Sequence, residues 1–187
     1  MMHQSLSGRS SAIALPTSLL LLAAVFRLSG LARDQRLHPD EALYADLSRR
    51  VGLWGDWQLL HVPVDKPPLF NFVGGLFYWL LGDSEFATRL PNAFASLILL
   101  ALLFTLTYRL TQFSSSALLA LLLITLSPMD IAMASSGFVD TQLVMWLMLS
   151  LVLITYQRWG SSGVALGLGL TRSSIVKKET PSNSMSD

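Results

Sequence analysis

The sequence has no cysteine and few charged residues. Among its 187 residues the absence of cysteine excludes disulfides, iron–sulfur clusters and cysteine-ligated zinc. Only 13% of the residues are charged and 52% are hydrophobic, whereas a soluble domain carries about 25% charged residues. The formal net charge of +1 gives no overall field that would attract nucleic acid, so we expect no nucleic-acid partner. The composition predicts an integral membrane protein.

Charged side chains are also missing from long continuous stretches. Residues 90–108, 113–129 and 141–157 contain no Asp, Glu, Lys or Arg. About 20 apolar residues cross the hydrocarbon core of a bilayer, so these stretches predict membrane-spanning helices. Residues 12–31 predict a further one, interrupted by Arg27, which we interpret as a signal anchor because no small-residue cleavage site follows it. The predicted fold class is all-α, a polytopic transmembrane helical bundle.

The segment between the first two predicted spans is rich in charge, aromatics and proline. Pro39 followed by two acids is typical of a helix start, which predicts a short helix over residues 40–51. Its apolar face is predicted to contain Leu43, Leu47 and Val51, at spacings of four. We therefore expect a first loop with juxtamembrane helices.

Residues 67–81 are apolar but short for a span. Their double glycine and aromatic cluster favour a helix that lies in the membrane interface. In that case Asp40, Lys66 and Asp140 lie on one side of the membrane. The arginines of the short loops then lie on the cytoplasmic side with residues 1–11. We therefore predict a multi-pass cell-membrane protein with an extracytoplasmic first loop.

Asp40 and Glu41 are the first candidates for catalysis. An acid just outside a membrane can act as a general base that takes a proton from an attacking hydroxyl. It can also supply oxygen ligands to a divalent cation, although no cofactor is required by the sequence. The alternative is a pair of acids that only complements the helix dipole. Tyr44, one turn further on, shares the helix face of Asp40.

Lys66 and Asp140 are candidates for binding a substrate. Lys66 precedes two prolines that can open a helix, and a cation beside free backbone N–H groups suits a phosphate. The alternative is a lysine that reaches towards lipid headgroups. Asp140 borders an apolar helix, where acids are often functional, and the alternative is an exposed loop acid. Asp130 is a weaker example of the same case, and His38 and His61 are too isolated to be predicted as metal ligands.

Four motifs, in this order, resemble a known family. They are His-Pro-Asp-Glu-Ala-Leu-Tyr-Ala (38–45), Gly-Asp-Trp (55–57), Asp-Lys-Pro-Pro-Leu (65–69) and Leu-Leu-Gly-Asp-Ser-Glu-Phe-Ala-Thr-Arg-Leu-Pro (80–91). The chain resembles the polytopic glycosyltransferases of the GT-C class over roughly residues 12–170. The most similar branch contains the dolichyl-phosphate-mannose–protein mannosyltransferases and lipid A aminoarabinose transferase-like enzymes.

The resemblance implies an inverting transfer of a sugar from a polyprenyl-phosphate donor to an extracytoplasmic protein, lipid or glycan acceptor. It implies that Asp40 is the catalytic acid of the first loop, with Glu41 as its neighbour in the motif. Lys66 matches the lysine associated with the carrier phosphate, and Asp140 matches a second acid near the site. Arg89 matches a family arginine, to which we assign a structural role only. The expected partners are the donor and membrane lipid.

The end of the sequence departs from the family pattern. A Gly-Leu-Gly-Leu helix ends at Leu170 and is followed by a polar segment, residues 171–187. We expect this tail to result from truncation or a frameshift, so that residues 12–170 form the N-terminal part of a larger transmembrane domain. Two alternatives are a non-enzymatic membrane protein, such as a transporter component, and a truncated product without activity.

Overall fold

In a computed structural model of the chain, residues 4–32, 36–59 and 68–170 are described. Within these ranges the chain forms eight α-helices and no strand. They are α1 (Gln4–Leu31), α2 (Pro39–Gly52), α3 (Pro68–Leu81), α4 (Glu85–Thr111), α5 (Ser114–Thr125), α6 (Pro128–Ala134), α7 (Asp140–Thr155) and α8 (Trp159–Leu170). The all-α prediction is confirmed.

Two of these helices are long and apolar enough to cross a membrane. They are the Ala14–Leu31 part of α1 and the whole of α4. The pair α5 and α6 meets the same criteria together, with a 65° bend between them, and gives a third span if it is counted as one. Helices α3 and α7 are apolar but shorter. The chain is therefore a helical membrane protein, as the charge-free stretches predicted.

The segment between the charge-free stretches 113–129 and 141–157 contains a further short helix. Residues Pro128–Ala134 form helix α6, which begins directly after the break that ends α5. Pro128 occupies the first helical position, where its missing N–H costs nothing. The Ser127 side chain accepts a hydrogen bond from the Asp130 N–H at 3.4 Å and caps the new helix. The proline that ends one helix therefore also begins the next.

The spans run back and forth between two ends of the bundle. The end of α1 packs on the start of α4, where Leu31 lies against Leu90 and Ala93. At the opposite end, the Arg109 guanidinium lies over the Tyr156 ring, 4.6 Å from its centroid. Helices α2, α4 and α7 all begin at the first of these ends, which we call the site end.

Helices α2 and α3 pack closely together at the site end. A Cβ atom on Gly52 would lie 2.1 Å from the backbone oxygen of Gly75, so the two backbones touch at this point. Helix α3 contacts α4 through pairs such as Phe77 and Phe94, whose ring centroids lie 6.0 Å apart. At about 1.5 Å per residue its 14 residues extend for about 21 Å. An interfacial position for α3 remains a prediction.

The buried face of α2 differs from the predicted one. Leu47 and Val51 are buried as predicted, but Leu43 is 46% exposed. The helix is rotated because its small and aromatic side chains pack on α3: Ala45 lies in one core cluster with Tyr78, and Tyr44 meets Phe70 edge to face. The buried set is Glu41, Tyr44, Ala45, Leu47, Ser48 and Val51.

Candidate active site

The start of α2 is fixed by a reciprocal cap. The His38 imidazole accepts a hydrogen bond from the Asp40 N–H at 3.3 Å, and the Glu41 carboxylate accepts one from the His38 N–H at 2.8 Å. Pro39 fills the first helical position between them. These contacts use the free N–H groups of the first turn, and the two acids complement the positive end of the helix. The sequence places the helix start correctly for this reason.

Glu41 is buried and engaged on both of its oxygens. Its Oε1 accepts a hydrogen bond from the Gly137 N–H at 2.5 Å and lies 3.5 Å from Nε of Arg89. The Glu41 and Arg89 side chains are each 6% exposed. A buried pair of opposite charges holds its partners in place because separating them would leave an uncompensated charge. Glu41 and Arg89 therefore tie α2 to α4 and to the segment before α7.

Asp40 is the acid of this pair that faces outward. Its side chain is 65% exposed, and its Oδ2 lies 3.8 Å from Nδ1 of His38. Asp40 lies in the first turn of α2, and the contacts of Glu41 with His38, Gly137 and Arg89 hold this turn in place. An accessible carboxylate on a rigid support can take a proton from a substrate hydroxyl, whereas Glu41 is already surrounded by protein donors. This geometry favours Asp40 as the reactive group and Glu41 as its support.

A polar pocket of about 400 Å³ lies against the start of α2. Its volume falls within the range of small-molecule sites, about 300–1,000 Å³. The residues that line it come from the end of α1, the segment that leads into α2, the starts of α2 and α4, and the end of α6 with the two residues after it. The polar ones are Arg36, His38, Glu41, Arg89, Ser135 and Ser136. His38 thus belongs both to the pocket and to the surroundings of Asp40.

The segment between α6 and α7 brings Asp140 to the same end of the molecule. Buried Asn92 of α4 donates hydrogen bonds to the carbonyls of Ser136 and Phe138, at 2.7 and 2.5 Å. The Phe138 ring lies 5.5 Å from the His38 ring, centroid to centroid. Asp140 begins α7 two residues later, is exposed, and lines a cleft of about 240 Å³. Asp40 and Asp140 therefore both lie at the site end.

Of the other two predicted substrate-binding residues, the structure describes Tyr44 but not Lys66. Tyr44 is buried, and its ring lies 5.5 Å from the Phe70 ring. This position favours packing between α2 and α3 over contact with a substrate. Lys66 lies outside the described residues. Within the described ranges, no group of three or more His, Asp or Glu side chains is placed to hold a metal ion.

The sequence reasoning missed several residues of this site. Asn92 and Gln142 form a buried amide pair, with Gln142 Nε2 donating to Asn92 Oδ1 at 3.1 Å. Both lie in apolar stretches, where a buried amide needs partners, and that was the available signal. The role of Gly137 carried no such signal. A Cβ atom there would lie 3.1 Å from the Thr88 side chain and 3.5 Å from Glu41 Oε1, so glycine permits the close approach.

Comparison with known proteins decides the family. The family model described as dolichyl-phosphate-mannose-protein mannosyltransferase matches residues 65–175. The chain belongs to this family. The match covers α3 to α8, and therefore includes Arg89, Asn92, Gly137 and Asp140. The resemblance carried by the sequence motifs is confirmed.

Curated relatives of this mannosyltransferase-family chain share one name. Each of the following is called undecaprenyl phosphate-alpha-4-amino-4-deoxy-L-arabinose arabinosyl transferase. The protein of Pectobacterium carotovorum is 28% identical over 88% of this chain and 32% of its own length. That of Pectobacterium atrosepticum is 26% identical over the same shares, and that of Edwardsiella ictaluri is 31% identical over 58% of this chain and 20% of its own. The chain thus spans at most about a third of the length of these relatives. No solved structure matches it.

Proposed function

We propose that the chain contributes the site end of a membrane glycosyltransferase that transfers a sugar from a polyprenyl-phosphate donor on the extracytoplasmic side. The position of Asp40 carries this proposal. Its exposed carboxylate lies 3.8 Å from His38, which lines a polar pocket, on a turn held by the buried Glu41 and Arg89 pair. Membership of the mannosyltransferase family supplies the reaction class.

In the proposed reaction Asp40 takes the proton of the acceptor as the acceptor attacks the anomeric carbon. The bond between that carbon and the phosphate oxygen breaks, and the configuration at the carbon inverts. Negative charge grows on the leaving polyprenyl phosphate, and a cation placed there stabilises the transition state. We assign that role to Lys66, and we assign contacts with the donor sugar to Asp140.

The name of the relatives suggests the first donor to test. It specifies a sugar carried on undecaprenyl phosphate, 4-amino-4-deoxy-L-arabinose. We propose the same class of donor for this chain, namely a polyprenyl phosphate that bears one pentose or hexose. The acceptor class stays open in this proposal.

A transporter component is the main alternative. Such a protein needs polar groups along a path through the membrane. Asp130 lies in the first turn of α6, at the break within the α5–α6 pair, and it is paired with Arg27. Asp40 and Asp140 instead border the bundle at the site end. This distribution favours a reaction at the membrane face.

Transfer by the chain in liposomes tests the proposal. The chain is reconstituted with undecaprenyl phosphate-linked aminoarabinose or mannose, and release of undecaprenyl phosphate is measured. We expect Asp40→Asn to reduce turnover by at least about 100-fold, since general-base catalysis contributes about 10²- to 10⁴-fold. Asp46→Asn is the matched control on the same helix, where the carboxylate pairs with Arg50, and it should keep its turnover. Near-normal turnover in Asp40→Asn would contradict the general-base role, and absence of turnover in the unmodified chain would contradict the activity.

A further inference from the structure

A fully buried arginine lies within the first membrane span. Arg27 of α1 has no exposed surface, although it interrupts an otherwise apolar stretch. Its Nε donates a hydrogen bond to Ser96 Oγ of α4 at 2.7 Å, and its Nη2 donates to the carboxylate of Asp130 in α6. Ser96 Oγ also donates to Asp130 Oδ2 at 3.2 Å. Charges inside a membrane protein are costly unless they are paired, so this three-residue cluster has a specific role.

The cluster lies at the break between α5 and α6. Because Pro128 has no N–H, the Ile124 carbonyl lacks the helical bond that residue 128 would normally donate and accepts one from the Ser127 N–H at 3.2 Å instead. Arg27 Nη2 donates to this carbonyl at 3.4 Å. The same guanidinium thus binds the negative end of α5 and an acid in the first turn of α6. It contacts both sides of the 65° bend.

Helix α6 leads directly into the segment that supports the candidate active site. Gly137, three residues after its end, donates to Glu41, and Glu41 accepts from the cap of α2. Phe138 packs on the His38 ring, and Asp140 follows as the first residue of α7. The direction of α6 therefore sets the positions of both Asp40 and Asp140.

From these contacts we propose that Arg27 and Asp130 are positioning residues, which fix the α5–α6 bend and thereby the site end. The proposal rests on the proposed function only for its effect on turnover. We assign no substrate contact to either residue: Arg27 is fully buried, and Asp130, which lines the same cleft as Asp140, is held by Arg27 and Ser96. Loss of Arg27 or Asp130 displaces the acids that contact the substrate, and a displacement of about 1 Å can lower a rate about 100-fold.

A double-variant cycle separates positioning from simple charge neutralisation. Asp130→Asn leaves fully buried Arg27 without its carboxylate, and Arg27→Gln leaves the Asp130 carboxylate, which is 21% exposed, without its cation, so each should lower the melting temperature in detergent. The double variant Arg27→Gln/Asp130→Asn removes both charges and should regain most of that loss. It should still lack the guanidinium contacts on both sides of the bend. We therefore expect its kcat to stay about 10- to 100-fold low, with KM within about twofold of the unmodified chain. Arg158→Gln, which replaces an exposed arginine just after α7 at the opposite end, is the matched control and should change neither quantity.

A distance measurement gives a readout that does not need activity. The chain lacks cysteine, so spin labels at Leu43→Cys on α2 and Ala132→Cys on α6, both exposed positions, report on this pair alone. We expect a narrow distance distribution in the labelled parent and a broad or shifted one in both single variants and in the double variant. A double variant with parental distance and kcat would overturn the proposal, as would single variants with parental distances. If the unmodified chain shows no transfer, the proposed function fails, and the distances alone decide the positioning role.

Discussion

At the scale of single residues, the two acids that begin α2 divide their roles by burial. Glu41 is enclosed by the Gly137 N–H, the His38 N–H and the Arg89 guanidinium, whereas Asp40 faces outward. The sequence predicts an acidic pair at a helix start but cannot tell which acid is buried, because that depends on the residues around Gly137, nearly 100 positions away. The motif therefore identifies the location, and the tertiary contacts assign the roles.

Replacement of Glu41 tests this division. Glu41→Gln keeps the shape but removes the charge that faces buried Arg89, so we expect a loss of about 3 kcal/mol in the free energy of unfolding. Denaturation in detergent, followed by circular dichroism, measures it. Glu85→Gln is the control because Glu85 is 46% exposed and lies 3.6 Å from the same arginine, and its loss should stay below about 1 kcal/mol. A Glu41→Gln chain with parental stability and no turnover would instead place Glu41 in contact with the substrate.

Arg27 and Asp130 show how far residue-level reasoning extends. Each is a charge in or beside an apolar stretch, which indicates a need for a partner. Their separation of 103 positions leaves the identity of that partner open until the helices are packed. The sequence therefore predicts that each residue needs a partner of opposite charge, but it does not predict the α5–α6 bend that the pair contacts.

At the scale of elements, the start of α2 was the most predictable feature, because Pro39 and the acids behind it mark it. The start of α4 was not predicted: it lies at Glu85, before the charge-free stretch, where Ser84 caps the helix by accepting from the Ala87 N–H at 3.1 Å. The rotation of α2 about its own axis, which decides which of its side chains are buried, was less predictable. Leu43 fits the apolar spacing as well as Leu47 does, but the close approach of α2 to α3 turns Leu43 outward.

The glycine contact between α2 and α3 gives an element-scale prediction. Gly52→Ala would place a Cβ atom against the backbone of Gly75, which cannot rotate away. We expect the two helices to separate, at a cost of about 1–3 kcal/mol in the free energy of unfolding. Gly163→Ala in α8 is the control, because a Cβ there meets no atom within 4 Å. Thermal unfolding of the two variants in detergent measures the loss. Equal stabilities would show that α2 and α3 do not need this contact.

At the scale of the whole molecule, the charge-free stretches were sufficient for the fold class. They predict helices because backbone groups in lipid must be satisfied within the segment. They do not predict how the helices pair, since the apolar stretches resemble one another. The order of packing follows instead from a few polar contacts, such as Asn92 with Gln142 and Ser150 with Ser162, whose hydroxyls lie 2.8 Å apart.

Sidedness is the remaining whole-molecule property, and it follows from whether α3 crosses the membrane. If α3 lies in the interface, the start of α2 and the start of α7 face the same compartment. Leu43→Cys and Val139→Cys, introduced singly into the cysteine-free chain, should then both react with a membrane-impermeant maleimide in intact cells. Gln112→Cys, in the turn after α4, should react only after permeabilisation, because that turn lies at the opposite end of the bundle. Labelling of Leu43→Cys and Val139→Cys from opposite sides would show that α3 crosses, and it would contradict the contacts, such as Gly137 with Glu41, that bring the starts of α2 and α7 together.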